Sequence, residues 1–153
     1  MAAAAQPVAP ARNATGTANI FSALSVQKDY DLDFGMATVT TAGTVVLDPN
    51  TDNVTTTGGV TYVGGNAHSA AFEGIAPIAN IVIIRLPKVA TTLTRVGGTQ
   101  TMTVDTWTMN GTSRRNVSAK TAFNFKVGGT LHVAANQAEG TYVGTFLVDV
   151  QYP

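Results

Sequence analysis

The 153-residue chain contains no cysteine and few charged residues. Without cysteine, disulfide bonds, thiolate chemistry and cysteine metal sites are excluded. Charged residues make up 12% of the chain, about half of the usual share. Nine basic residues balance nine acidic ones, so the chain lacks the electrostatic footprint of a protein that binds DNA, RNA or an anionic membrane. With so little net charge, copies of the chain repel one another weakly and tend to self-associate.

Residues that favour helices are also scarce. Glutamate occurs only at Glu73 and Glu139, and no apolar run approaches the ~20 residues that a membrane-spanning helix needs. Threonine is instead the commonest residue, and valine is plentiful. Both fit the half-buried surface of a sheet better than a helix. The composition therefore predicts an all-β protein, and its length is sufficient for one domain with its own core.

Alternating apolar and polar residues predict about eight or nine short strands separated by turn residues. Regions with this pattern are 14–34, 38–48, 54–63, 70–75, 78–86, 99–109, 122–127, 130–134 and 142–152. The glycine pairs along the chain, Gly128-Gly129 among them, are interpreted as hairpin turns or bulges. The spacing predicts one antiparallel β-sandwich with almost no helix.

The same alternation predicts the core. Segment 78–84 is nearly apolar on both faces, which is typical of a central strand. The last strand has one face formed by Tyr142, Gly144, Phe146, Val148, Val150 and Tyr152. We expect the core to include Ile81, Ile83, Phe123, Phe125, Phe146, Val148 and Val150.

The first 22 residues are predicted to be an N-terminal extension, followed by the sandwich over residues 23–153. Residues 1–13 are rich in Ala and Pro and resemble the cleavage region of a secretory signal. A start Met on a mature exported chain, or a flexible terminus of no significance, would give the same composition. Further along, one face of an extended segment would carry Ala14, Gly16, Ala18 and Ile20.

No pattern of residues indicates catalysis, so we expect no catalytic residues. His68 and His132 are far apart in sequence, and neither has a neighbouring carboxylate. Tyr30, Leu32 and Phe34 alternate with aspartates that would form a solvent face, namely Asp29, Asp31 and Asp33. Nothing in the sequence assembles a nucleophile, a base and an orienting group.

Residues 48–52 begin like a calcium-binding loop, with oxygen ligands at alternate positions. The glycine expected at the sixth position is Asn53, and the glutamate expected at the twelfth is Gly59. A polar turn is therefore the favoured interpretation. We expect that no metal and no cofactor belong to the fold.

Several short motifs follow one another along the chain. They are Leu32-Asp33-Phe34-Gly35, Thr44-Val45-Val46-Leu47-Asp48-Pro49, Ala71-Phe72-Glu73-Gly74, Leu86-Pro87, Met102-Thr103-Val104, Val127-Gly128-Gly129-Thr130-Leu131 and Gly140-Thr141-Tyr142-Val143-Gly144-Thr145-Phe146. In this order they resemble a family of exported bacterial proteins known only as a domain of unknown function. That family is itself similar to the spore coat protein U type subunits of archaic chaperone–usher pili. The resemblance covers about residues 20–153, but the Cys that coat-U relatives usually carry before Leu-x-Phe-Gly is missing here.

The resemblance implies an immunoglobulin-like, pilin-like sandwich that lacks its last strand. The N-terminal extension of the next subunit would fill the gap in trans, so that identical subunits form a homopolymer. Partners would also include a periplasmic chaperone and an outer-membrane usher. The polymer would lie at the surface of a Gram-negative bacterium, after export through the periplasm.

Under this hypothesis, the donor strand presents Ala14, Gly16, Ala18 and Ile20 to the neighbour's core. The acceptor is the strand that contains Tyr142, Gly144, Phe146, Val148, Val150 and Tyr152. This strand ends the chain, and we expect an uncovered edge beside it, which soluble monomers avoid. Alternatively, the segment pairs within its own chain as an ordinary first strand.

Other functions remain open. The chain would fit a monomeric secreted module that binds carbohydrate or a surface, an exported envelope protein of another function or, least of all, an enzyme. Sugar binding usually uses exposed aromatic platforms, and most of the few aromatic residues here lie on the predicted core face. A structural subunit of a bacterial surface fibre is the function that the sequence favours.

Overall fold

A computed structural model describes residues 17, 18, 20 and 23–153. In this part of the chain every regular element is a strand, and all strand pairs are antiparallel. The strands are β1 (Ser25–Tyr30), β2 (Met36–Leu47), β3 (Val54–Gly64), β4 (Ala70–Ile75), β5 (Asn80–Arg85), β6 (Thr91–Arg95), β7 (Thr101–Met109), β8 (Arg114–Val117), β9 (Ala122–Val133), β10 (Tyr142–Val143) and β11 (Asp149–Gln151). The predicted all-β antiparallel sandwich is confirmed.

Strand β9 is the centre of an eight-stranded sheet. Its first half pairs with β4 and its second half with β2, while β7 pairs along its other edge. Outside these lie β1 on β4, β3 on β2, and β6 followed by β10 on β7. A second sheet has the order β11-β5-β8.

The glycine pair Gly128-Gly129 lies inside β9, so the turn predicted there is wrong. Both glycines are buried and extended, and the strand runs through them without interruption. A Cβ atom on Gly128 would lie 2.2 Å from the carbonyl oxygen of Leu47, and one on Gly129 would lie 3.1 Å from Val104. Glycine is therefore needed at both positions, because the neighbouring strands β2 and β7 approach β9 closely at this point.

Three clusters of buried side chains form the core. The first is Val45, Val60, Val104, Leu131 and Val133; the second is Ala70, Ile84, Phe125 and Val127; the third is Ala76, Val82 and Val117. The first two share strand β9, whose inward residues contribute to both. Trp107 packs against both the first and the second cluster and so joins them.

A bulge in β7 places Trp107 on the core side. The register between β7 and β9 shifts between Asp105 and Thr108, and Thr106 has a φ angle of 47°. The extra residue reverses the alternation, so that Val104 before the bulge and Trp107 after it both face inward. The uninterrupted alternation predicted over residues 99–109 therefore does not occur.

The predicted inward face of β5 is wrong. Val82 and Ile84 belong to the core, whereas Ile81 and Ile83 are half-buried on the other face. Segment 78–84 is apolar on both faces, so alternation alone does not select one of them. Val82 is fixed inward by Ala76 and Val117, and Ile84 by the cluster around Phe125.

The other core predictions agree with the structure. Phe125 is only 1% exposed, and Phe72 stacks on it with ring centroids 5.0 Å apart. The remaining four predicted residues are half-buried and pack against the second or third cluster: Phe123, Phe146, Val148 and Val150.

Strands β6 and β8 were missed by the sequence analysis. The alternation in β6 extends over only five residues, and the four residues of β8 begin with the basic pair Arg114-Arg115. Both strands form because β7 and β5 offer them an edge for pairing. Such long-range pairing has no local sequence signal.

Replacement of Gly128 by Ala should destabilise the fold by about 1–3 kcal/mol, because the new Cβ would collide with rigid backbone. The measurement is the free energy of unfolding in urea. Thr130→Ala, in the same strand but half-exposed, is the control and should change stability much less. Equal stability of Gly128→Ala and the natural protein would contradict the close approach described above.

Candidate functional site

A cavity of about 650 Å³ opens between two segments of the chain. One wall is residues 32–39, the connection after β1 and the start of β2, and the other is residues 135–142, the connection after β9 and the first residue of β10. The floor consists of apolar side chains from three neighbouring strands: Val45, Met102, Leu131 and Val133. We call this cavity the apolar groove, and its floor is largely the first core cluster.

The Leu32-Asp33-Phe34-Gly35 motif shapes the first wall. Leu32 packs against the second core cluster and Phe34 against the first, so the two side chains span both clusters. The Asp33 carboxylate accepts a hydrogen bond from the backbone N–H of Gly35 at 2.8 Å. Gly35 has a φ angle of 75°, and a Cβ atom there would lie 2.6 Å from the ring of Tyr62. Glycine is therefore required on both conformational and steric grounds.

The second wall is held by a small hydrogen-bond network. The Gln137 amide donates to the hydroxyl of Tyr142 at 2.8 Å and to the carbonyl of Thr101 at 3.2 Å. The Tyr142 hydroxyl donates in turn to the carbonyl of Ala138 at 2.6 Å. Arg95 anchors the same loop through a 2.5 Å hydrogen bond to the carbonyl of Glu139. These contacts fix a loop that has no regular strand of its own.

The segment from Tyr142 to Tyr152 is not the single strand that the sequence predicts. Its first two residues pair with β6 in the larger sheet, and Asp149–Gln151 pair with β5 in the smaller one. Residues 144–148 between them belong to no strand. The chain thus crosses from one sheet to the other, with Gly144 so close to β6 that a Cβ atom would lie 2.5 Å from the carbonyl oxygen of Thr92.

The predicted inward-facing residues near the end of this segment nevertheless pack against the core. Phe146 lies against Trp107 with ring centroids 4.4 Å apart, and Val148 and Val150 pack on the second cluster. Tyr152 packs on the third cluster, and its hydroxyl is buried without a hydrogen-bond partner. Leu32 also packs on the second core cluster, so the first wall of the groove and residues 146–150 contact the same cluster.

β1 and β11 each have an unpaired edge within the described part of the chain. β1 pairs only with β4, and all six of its residues are exposed. β11 pairs only with β5. Tyr30, which alternates with Leu32 and Phe34 in sequence, is 64% exposed, and its ring meets His68 edge to face. A register shift between Lys28 and Tyr30 moves it away from the core.

The proposed donor residues lie only partly within the described structure. Ala14 and Gly16 are outside the described residues. Ala18 and Ile20 are described, and both are exposed, Ile20 to 94%. Neither residue belongs to a strand. The sequence analysis did not single out the groove floor, because Val39, Met102 and Leu131 are separated in sequence and meet only through strand pairing.

An ion pair between Lys126 and Asp52 is linked through Ser69 and His68 to the first wall of the groove. Lys126 Nζ lies 2.7 Å from Asp52 Oδ2, and Asp52 Oδ1 accepts a hydrogen bond from the backbone of Ser69 at 2.8 Å. The preceding residue, His68, exchanges two 2.9 Å backbone hydrogen bonds with Asp33 in the groove wall. Partial burial raises the pKa of Asp52, but hydrogen bonds from Lys126 and Ser69 outweigh it and lower this pKa to about 2.

Residues 48–53 form the polar turn that the sequence favours. The Asp48 carboxylate accepts hydrogen bonds from the backbone and side chain of Asn50, at 2.9 and 3.0 Å. These bonds lower the pKa of Asp48. Among the residues that the structure describes, no group of three or more histidines and carboxylates could hold a metal ion.

His132 has a carboxylate neighbour that the sequence analysis missed. Its Nε2 lies 2.7 Å from Asp105 Oδ1, on adjacent strands β9 and β7. The hydrogen bond from His132 is the main cause that lowers the pKa of Asp105. Only the register between the two strands brings them together. Asp105 accepts a further hydrogen bond from the hydroxyl of Thr106 at 3.0 Å.

Replacement of Asp52 by Asn tests the support of the wall. Asn tolerates the φ angle of 57° and can still accept from Ser69, but it loses the charge that pairs with Lys126. Since the folded pKa lies below the ordinary value of 3.8 for an aspartate, the stability due to this carboxylate is complete above about pH 5. It is lost as the pH falls through about 2.

We therefore expect Asp52→Asn to cost about 1 kcal/mol at pH 7, after allowance for solvent screening of the pair. The difference from the natural protein should shrink between pH 4 and pH 2. Urea unfolding over a series of pH values measures it. A difference that stays constant down to pH 2 would show that the ion pair is not its source.

No helix in the described part of the chain is long and apolar enough to cross a membrane. Comparison with curated proteins and with solved structures finds no significant match for this chain. One family does match, over residues 24–152, which include every strand and both walls of the apolar groove. The chain belongs to the family described as Domain of unknown function (DUF4402).

Proposed function

We propose that this chain is a structural subunit of a bacterial surface fibre. The N-terminal extension of one subunit, residues 1–22, enters the apolar groove of the next subunit and continues beside the free edge of β11. Because the extension and the groove are different surfaces, the contact is heterologous and generates an open, head-to-tail homopolymer. Identical subunits are then the main partners of the chain.

The observation that carries this proposal is the groove itself. Its floor is the first core cluster. The edge strands β1 and β11 each have an edge without a described partner, and Val150 of β11 packs on the second core cluster together with Leu32 of the groove wall. An apolar floor and an unpaired strand edge together suit an added strand, which gains main-chain hydrogen bonds and pockets for alternate side chains. Exposed strand edges of this kind are otherwise a liability in a soluble protein.

The extension has suitable chemistry for the donor. Ala14, Gly16, Ala18 and Ile20 share one face of an extended segment, and the alternate residues are polar. The exposure of Ala18 and Ile20 supports insertion into a neighbour rather than into the same subunit. Ile20 is the largest of the four side chains and would anchor the strand. Gly16 would fit where the groove is shallowest.

The proposal includes a route to the cell surface. A subunit with an open groove needs protection before assembly, which a periplasmic chaperone would provide by occupying the groove. An outer-membrane usher would then exchange the chaperone for the next donor strand. The fibre would lie outside a Gram-negative cell. None of these steps requires a catalytic residue or a cofactor in the subunit.

The aromatic side chains favour a fibre over a monomeric sugar-binding module. The described phenylalanines are buried or half-buried, and Trp107 is half-buried against Phe146. Tyr30 is strongly exposed, but its ring already meets His68. A row of exposed aromatic rings, on which sugars would stack, is not seen in the part of the chain that the structure describes.

The variant Ile20→Asp should abolish polymerisation, because a carboxylate would be buried in the groove without a partner. The subunit should still fold and should accept a peptide of residues 14–22 in trans. Thr17→Asp adds the same charge on the opposite face and is the control, which should polymerise normally. Negative-stain microscopy and sedimentation velocity measure assembly, and circular dichroism measures folding.

Two outcomes would contradict the proposal. If Ile20→Asp fails to fold even with the peptide supplied, the segment pairs within its own chain. If a chain without residues 1–19 still forms normal fibres, the extension is not the link between subunits. In both cases the groove would have another occupant.

A further inference from the structure

We infer that the free edge of β3 is a second self-association surface, which pairs antiparallel with β3 of another copy of this chain. This surface is the edge of β3 opposite to the one that pairs with groove-wall residues 36–39, and it does not depend on the function proposed for the groove. β3 pairs only with β2, so its other edge has no partner among the described residues. It spans eleven residues, Val54–Gly64.

The other edges of the two sheets are charged or short. β3 is neither, although its pairing with β2 shifts register twice and Gly58 within it has a φ angle of 65°. β1 contains Lys28 and Asp29 and has a register shift. β8 begins with Arg114-Arg115, β10 has two residues, and β11 has three residues that begin with Asp149. β3 has no charged residue and no proline. Charges, proline and short length are the usual protection of an edge strand, and β3 lacks all three.

The two faces of β3 have different roles. Val54 and Val60 pack in the first core cluster and hold the strand in place, and Thr56 and Tyr62 are half-buried on the same face. The outward side chains are small and uncharged: Thr55, Thr57, Thr61 and Val63. Val63 is 55% exposed, although it is apolar. The edge is thus already ordered in a single subunit, and little conformational entropy would be lost when a second copy pairs with it.

A second copy of β3 complements this edge. In an antiparallel register centred on Gly59, Thr57 faces Thr61 of the second copy, and Thr55 faces Val63. The outward faces then lie on the same side, and threonine pairs of this kind stabilise adjacent strands. No like charges oppose each other, because the strand has none. The net charge of zero adds no long-range repulsion between copies.

The contact would be isologous, since the same strand serves on both sides. It closes at two copies, in contrast to the head-to-tail contact proposed for the groove. In solution it gives a dimer whose two eight-stranded sheets are continuous. Between fibres it would join two subunits side by side and produce lateral pairs or bundles.

The test uses the full chain with Ile20→Asp, which removes head-to-tail growth if the proposed function is correct. Sedimentation equilibrium over a range of concentrations should show monomer and dimer. Thr55→Lys with Val63→Lys places each lysine opposite a lysine of the second copy and should raise the dissociation constant about tenfold or more. Thr94→Lys with Thr103→Lys adds the same charge to exposed positions of β6 and β7, and should leave the dimer unchanged.

A charge-complement experiment separates pairing from a general loss of stability. A chain with Thr55→Glu and Val63→Glu should also be monomeric alone but should form a heterodimer when mixed with the lysine variant, because each glutamate then faces a lysine. Circular dichroism should show both variants folded. The heterodimer would support direct contact between the two β3 edges.

Three results would overturn the inference. The first is a strictly monomeric chain at every concentration, and the second is a dimer that the β3 lysines leave intact. The third is a monomer that loses stability with the β3 lysines, which would show that another part of the same chain covers the edge. If Ile20→Asp fails to stop fibre formation, the proposed groove function is wrong. Microscopy then still tests β3, by comparing the lateral bundling of fibres from the β3 lysine variant with that of fibres from the β6–β7 lysine control.

Discussion

The fold depends on the pairing of β9 along both of its edges. This strand bonds to β4 and β2 on one side and to β7 on the other, so it holds three strands in the sheet. Gly128 allows the close approach of the backbone at Leu47, and Gly129 allows that of β7 at Val104. The inward residues of β9, from Phe125 to Val133, then supply both the main core and much of the groove floor.

Sequence alternation predicted side-chain faces better than it predicted strands. Where one face is polar, as in 122–127, burial of the apolar face follows from the hydrophobic effect alone. Where both faces are apolar, as in 78–84, the inward side depends on neighbours such as Ala76 and Val117, which the local pattern does not contain. Glycine pairs are ambiguous for a related reason, because a turn and a close approach of two strands both require a residue without a side chain.

The candidate site was predictable in part. The Leu32-Asp33-Phe34-Gly35 motif and the apolar face from Phe146 to Tyr152 are visible in the sequence, and both lie at the groove or its extension. The break in the last strand was not predictable. The alternation of apolar and polar residues reflects which side chains are buried, whereas strand pairing depends on which strand edges lie nearby. The wall of residues 135–142 and the His132–Asp105 contact likewise arise from tertiary structure, through Gln137 and through strand register.

The contact through the apolar groove and the contact through the β3 edge would have different symmetries, although both belong to one small domain. A heterologous contact through the groove extends the chain of subunits without limit, whereas an isologous contact through β3 closes after two copies. β3 pairs directly with groove-wall residues 36–39, and the proposed dimer contact uses its opposite, unpaired edge, so the two contacts do not compete for the same backbone groups. The scarcity of charge in the sequence favours both contacts, since each joins copies of one chain, and a cluster of like charge on the joined surfaces would oppose assembly.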